Sequence, residues 1–194
     1  GTPKWLYLSS LADNSLAYHL EILSYLEKNP TVKLAFQPGT FQMKLGVEKL
    51  SGIYKRSELF FCNVEEAKRI LGIIEDITIG DLLKKIASLG PQIVVITDGK
   101  KGAYVYDGKS AWFMPSYPDE KPPYERTGAG DAFASTFTSA LALGMEVPQA
   151  LMWGPINSMS VVQHIGAQRG LLSKNEIEAL LERAPEIFKP KILF

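Results

Sequence analysis

Cysteine is almost absent from this chain. Cys62 is the only one in 194 residues, which excludes an internal disulfide and a cysteine zinc cluster and fits a reducing, cytoplasmic setting best. An excess of either charge is lacking too: Lys and Arg number 21, as do Asp and Glu. That balance argues against a general nucleic-acid partner or an anionic membrane surface, both of which call for a basic excess. No apolar run is long enough to span a bilayer, and no signal peptide is read. Internal repeats and low-complexity segments are missing. Histidine is scarce, with only His19 and His164. Both lie on helical patterns with no partner nearby, so they read as structural, and no Ser–His–Asp or metal triad can be assembled. What remains is the composition of one soluble globular domain with a proper core.

Hydrophobic spacing orders that domain. Residues 5–8, 33–36 and 58–62 read as short strands, and the β-branched run Ile93-Val94-Val95-Ile96-Thr97 as a strand buried on both faces. Residues 103–106 and 111–114 pair as a hairpin around Asp107-Gly108, and 191–194 is a possible last strand. Helices are expected from Asp13 or Asn14 to about Lys28, over 43–50, from Asn63 to about Leu71, from Asp81 through Leu89, from a glycine turn to about Leu143, over 148–165 and over 173–188. Strand–helix alternation, then a hairpin and three helices, predicts an α/β layered domain with a largely parallel sheet. Gly1 before Thr2 reads as a tag remnant or a cut start, with the first strand beginning almost at once.

The chain is organised around Glu125-Arg126-Thr127-Gly128-Ala129-Gly130-Asp131-Ala132-Phe133. A loop rich in proline (Pro115, Pro118, Pro122, Pro123) delivers this stretch, and a helix leaves from it. The helix start offers unpaired N–H groups and a partial positive charge, an anion site by construction. Asp131 falls in its first turn. An anion cradle and a carboxylate within four residues suggest phosphoryl transfer, with the N–H groups holding charge on the phosphate and the acid taking a proton from the attacking hydroxyl. The bland alternative is a glycine cap with a dipole-favoured Asp.

Other motifs weigh less on their own. Asn63 and Glu66 share one face at a helix start, just past a strand's carboxyl end, and suit hydrated Mg²⁺. The simpler reading is an Asn cap with Glu at the third position. Thr97-Asp98-Gly99-Lys100-Lys101-Gly102 is a plain turn or a nucleotide-contacting loop. Gly108-Lys109-Ser110 imitates the end of a P-loop, but it joins two strands and opens no helix. A dinucleotide site of the Rossmann type would need its glycines after the first strand, and here they come late. Asp119-Glu120-Lys121 reads as a solvated loop.

Taken together, Asn63-x-x-Glu66, the segment Val95 to Ala103 and Thr127-Gly128-Ala129-Gly130-Asp131-Ala132-Phe133, in that order, resemble the PfkB carbohydrate kinase, or ribokinase, family. Gly166-Ala167 also fits. The resemblance covers nearly the whole chain, but only the carboxyl-terminal part of the family's fold. It implies a ribokinase-like three-layer α/β/α fold without the amino-terminal strands and lid, with residues 1–194 as its nucleotide-binding part. It further implies transfer of the γ-phosphoryl of ATP to a hydroxyl of a sugar, sugar acid, nucleoside or related small molecule. Asp131 would be the base, and the N–H groups of Gly128, Ala129 and Gly130 the anion hole. Asn63 and Glu66 would organise Mg²⁺ and the phosphates, directly or through water. Thr97, Gly99, Gly102 and Thr127 would lie along the nucleotide, and Asn157 near the adenine. Glu125 stands where the family usually has an Asp of a monovalent-cation site, Arg126 where Thr is common, and Gly170 where some members supply a hydroxyl. These departures put K⁺ activation in doubt. A sheet edge and an apolar face left exposed lead to the expectation of a homo-oligomer, or of a part of a longer gene product. The alternative to a kinase is a truncated, non-catalytic nucleotide-binding module.

Overall fold

The runs of β-branched and aromatic residues become seven strands: β1 Trp5–Leu8, β2 Lys33–Phe36, β3 Ser57–Asn63, β4 Ile93–Thr97, β5 Ala103–Tyr106, β6 Ala111–Met114 and β7 Lys191–Ile192. The structure is a computed structural model that describes residues 1–119 and 121–194; Glu120, in the loop read as solvated, lies outside the described residues. The strands form one sheet in the order β1-β2-β3-β4-β5-β6-β7. β1 and β2 run parallel, Trp5 opposite Lys33 through Leu8 opposite Phe36. β2 and β3 are also parallel, with an irregularity between Leu34 and Ala35. β6 and β7 are antiparallel. The mostly parallel α/β class expected from the sequence is what forms. The strand order runs straight through, without the reversal that makes a dinucleotide crevice.

Eight α-helices lie among the described residues: α1 Leu16–Lys28, α2 Thr40–Leu45, α3 Ser51–Arg56, α4 Val64–Leu71, α5 Ile79–Ala87, α6 Ala129–Ala142, α7 Val147–Val161 and α8 Lys174–Glu182. Four differences from expectation have physical causes. The single helix over 43–50 is instead α2 and α3, because Gly46 takes φ +86° and ends α2. Thr78 rather than Asp81 caps α5; its Oγ1 accepts from Asp81 N–H at 3.1 Å. α7 stops at Val161, and the next carbonyl, that of Val162, accepts from the N–H groups of Tyr124 and Glu125. α8 stops at Glu182, ahead of Pro185, whose preceding residue is disfavoured in helical conformation.

The chain divides into two compact units, residues 1–96 with 105–111, and residues 97–104 with 112–194. In the first, Leu34, Phe36, Leu59, Phe60, Val94, Val95 and Ile96 are fully buried. Phe36, Tyr54 and Phe60 pack ring to ring at centroid separations of 5.2–5.8 Å. In the second, α6 packs against α7; Phe133 lies over Gly154, where an added Cβ would come within 2.8 Å of the ring.

A buried polar knot holds the carboxyl ends of β1 and β2. Gln42 Oε1 accepts from the N–H groups of Gly39 (2.7 Å) and Leu11 (3.2 Å), while its Nε2 donates to Ser9 O (3.0 Å) and His19 Nε2 (2.9 Å). His19 Nδ1–H donates to Ser15 O at 2.7 Å, so the two contacts together select the tautomer. His19 therefore does have a partner, in contrast to the sequence reading, and its task is structural as read. Gln42→Leu would take the partner from four polar groups around Gln42 and His19, both fully buried. It is expected to cost about 2–4 kcal/mol of stability, read from urea denaturation midpoints. A cost under about 1 kcal/mol would contradict that role.

Candidate active site

In the second unit, Gly128 occupies the cap position of α6 with φ +82°, a left-handed conformation natural to glycine. An added Cβ there would lie 2.6 Å from both Cα and Cβ of Ala167. The turn is thus close-packed on the segment that follows α7. Glu125 reinforces this contact, since its carboxylate accepts from Gly166 N–H. Ala129 N–H bends back toward Arg126 O at 3.3 Å, and Ala132 N–H donates to Gly128 O at 2.8 Å. The Gly130 N–H group lies ahead of that bond, at the positive end of the helix dipole. Asp131 lies in the first turn, and Thr127, Gly130 and Asp131 are all exposed. The structure thus gathers Thr127, Gly128, Ala129, Gly130 and Asp131 into one solvent-facing helix start.

The Thr97–Gly102 loop is closed by hydrogen bonds from Asp98 N–H to Gly102 O (2.8 Å) and Lys101 N–H to Asp98 O (3.0 Å). Ser116, missed in the sequence, donates its hydroxyl to the carbonyls of Gly99 and Lys100. Gly99 is exposed at φ +53° and Thr97 is half-buried at the end of β4. Gly102 is buried, and its missing side chain makes room for the backbone of Met114. Burial, with Asp98 adding to it and Lys101 opposing, pushes the Tyr104 phenol up.

Asn157 on α7 is buried. Its Nδ2 donates to Thr136 Oγ1 at 2.6 Å and its Oδ1 accepts from Leu172 N–H at 2.9 Å. The side chain ties α6, α7 and the approach to α8 together. Next to it, Ser158 donates its hydroxyl to the carbonyl of Ala129. Nothing in local spacing marks Ser158, because its partner lies 29 residues away.

In the first unit, Asn63 and Glu66 form a reciprocal cap on α4. Asn63 Oδ1 accepts from Glu66 N–H (2.8 Å) and Glu66 Oε2 accepts from Asn63 N–H (2.9 Å). The cap leaves Glu66 Oε1 over, at the carboxyl end of β3. A single carboxylate oxygen suits a cation that keeps most of its water, as Mg²⁺ does, and not a dehydrated cage. Behind the cap, burial above all, with the Glu66 charge adding to it, pushes the Cys62 thiol well up, so it stays protonated and inert.

The Gly108-Lys109-Ser110 imitation is a strand-joining turn. Asp107 Oδ1 accepts from Lys109 N–H (2.9 Å) and Ser110 N–H (2.8 Å), as expected of a hairpin.

Residues 2–175 match one family model, the pfkB family carbohydrate kinase. The chain belongs to the pfkB family of carbohydrate kinases. Its curated relatives include a ribokinase of Bacillus subtilis, 36% identical over 56% of this chain and 35% of that protein. A cytidine kinase of Thermococcus kodakarensis is 34% identical over 60% of this chain and 41% of that one. An Escherichia coli protein described as a ribokinase II, solved with ATP and Mg²⁺, shares the fold with a TM-score of 0.76 at 18% identity. That match covers 93% of this chain and 59% of the other. The chain therefore spans less than half the length of these two curated relatives and 59% of the solved neighbour. Among its described residues, no helix is long and apolar enough to cross a membrane.

Proposed function

We propose that the chain is the nucleotide-binding, phosphoryl-transferring part of an ATP-dependent small-molecule kinase. The observation that carries this is the exposed start of α6, where left-handed Gly128 presents the glycine-turn amides beside Asp131. Family membership supports the same reading. In this account Asp131 takes the proton from the acceptor hydroxyl as the new P–O bond forms and ADP leaves. The turn amides stabilise charge on the transferred group, Gly130 foremost, because Ala129 N–H already leans on Arg126 O. Thr97, Gly99 and Thr127 line the nucleotide. Gly102 and Asn157 act from behind that lining, since both are buried. Asn63 and Glu66, in the first unit, would hold hydrated Mg²⁺ through the carboxylate oxygen that the cap leaves over. Glu125 serves the turn through Gly166, so no K⁺ role is proposed. The cytoplasm is the setting that fits a lone, buried thiol.

The named relatives include a sugar kinase and a nucleoside kinase, so those classes head the acceptors to be tried. An ADP-release assay with MgATP against a panel of sugars, sugar acids and nucleosides tests the reading. Release that depends on one acceptor class is expected. MgATP binding with no release for any acceptor would favour a non-catalytic nucleotide-binding module instead.

A further inference from the structure

The hydroxyl of Ser158 donates to the carbonyl of Ala129. That carbonyl and the Gly130 N–H are the two ends of one planar peptide group, so they point in opposite directions and polarise together. A hydrogen bond received at the oxygen therefore strengthens the N–H as a donor and adds to the ladder's hold on its direction. The Gly130 N–H precedes the Ala132–Gly128 ladder bond of α6, so its strength as a donor depends on what its peptide group receives at the carbonyl end. We infer that Ser158 is a positioning residue for the anion site of the glycine turn, acting through the Ala129–Gly130 peptide group; this rests on the reading of the turn given above.

The frame around the contact is built to hold it. Asn157 beside Ser158 is pinned to Thr136 on α6 itself. One turn further along α7, the Val162 carbonyl accepts from Tyr124 N–H (2.7 Å) and Glu125 N–H (3.4 Å), the residues that lead into the turn. Gly128 is backed by Ala167. Helix α7 and the segment after it thus grip the turn before, at and after the anion site, and Ser158 supplies the grip at the peptide that carries Gly130 N–H. Ser158→Ala removes only the hydroxyl. The fold is expected to survive, because Ala129 O keeps its place in the α6 ladder and alanine favours helix.

The test is amide NMR on the 194-residue chain and on Ser158→Ala and Ser158→Thr, each titrated with MgATP. In Ser158→Ala, the Gly130 nitrogen resonance is expected to move upfield and its proton to exchange faster, while amides in the middle of α6 stay put. MgATP affinity should fall about three- to tenfold, the worth of one hydrogen bond. Ser158→Thr, which keeps the hydroxyl, should restore both. An unchanged Gly130 amide in Ser158→Ala would overturn the inference and leave the kinase reading standing. If MgATP moves no amide of the turn in the unmodified chain, the kinase reading of the turn fails, and the positioning role falls with it.

Discussion

Asp131→Asn is expected to lower phosphoryl transfer by on the order of 10²–10⁴ while leaving MgATP affinity nearly unchanged. The amide keeps the size and shape of the carboxylate and stays at the exposed first turn of α6. What it loses is the ability to accept the acceptor's proton. Phosphoryl transfer leans on positioning and charge stabilisation, so those contributions remain and the loss is confined to the proton. Stability should change little, since Asn, like Asp, is tolerated at a helix start. The measurement is turnover under saturating MgATP beside a separate binding titration. Turnover within a few-fold of the parent would remove Asp131 as the base. A matching loss of MgATP affinity would assign it to nucleotide binding instead.

Gly128→Val is expected to cost about 2–4 kcal/mol of stability and to abolish MgATP binding. Two causes add. A β-branched residue is strained at φ +82°, and the new side chain would collide with the backbone of Ala167. Relief requires the turn or the segment after α7 to move, either of which takes the Gly130 amide off its line. Gly144 separates strain from site. It has φ +89° just past α6 with nothing within 4 Å of an added Cβ. Gly144→Val should share the strain, about 1–2 kcal/mol, yet bind MgATP like the parent chain. Equal loss of binding in both variants would show that Gly128 acts through stability alone.

Much of this was legible because it is written locally. Ile93–Thr97 announces a buried strand by its β-branched run, and it forms as β4 with Val94, Val95 and Ile96 fully buried. The glycine turn announces α6 because glycine admits the left-handed backbone at Gly128 and no side chain covers the amide of Gly130. The reciprocal Asn63–Glu66 cap likewise depends on residues three apart. What escaped depends on partners far away in the chain. Gln42 and His19 are 23 residues apart, and Asn157 reaches Thr136 across 21. The carboxamide of Asn157, which the resemblance sets near the adenine, also reaches Leu172, across 15 residues. The break between α2 and α3 was hidden for another reason. Apolar residues recur across Gly46 at helical spacing, and only the backbone angle shows that the helix stops there.

The central claim is that the glycine turn opening α6 is a nucleotide phosphate site. Calorimetric titration of the chain with ATP, with Mg²⁺ present and then chelated, tests it most directly. The account predicts one saturable site that weakens sharply when Mg²⁺ is removed and that Gly128→Val abolishes. Absence of saturable binding at millimolar MgATP, or binding that Gly128→Val leaves intact, would contradict it.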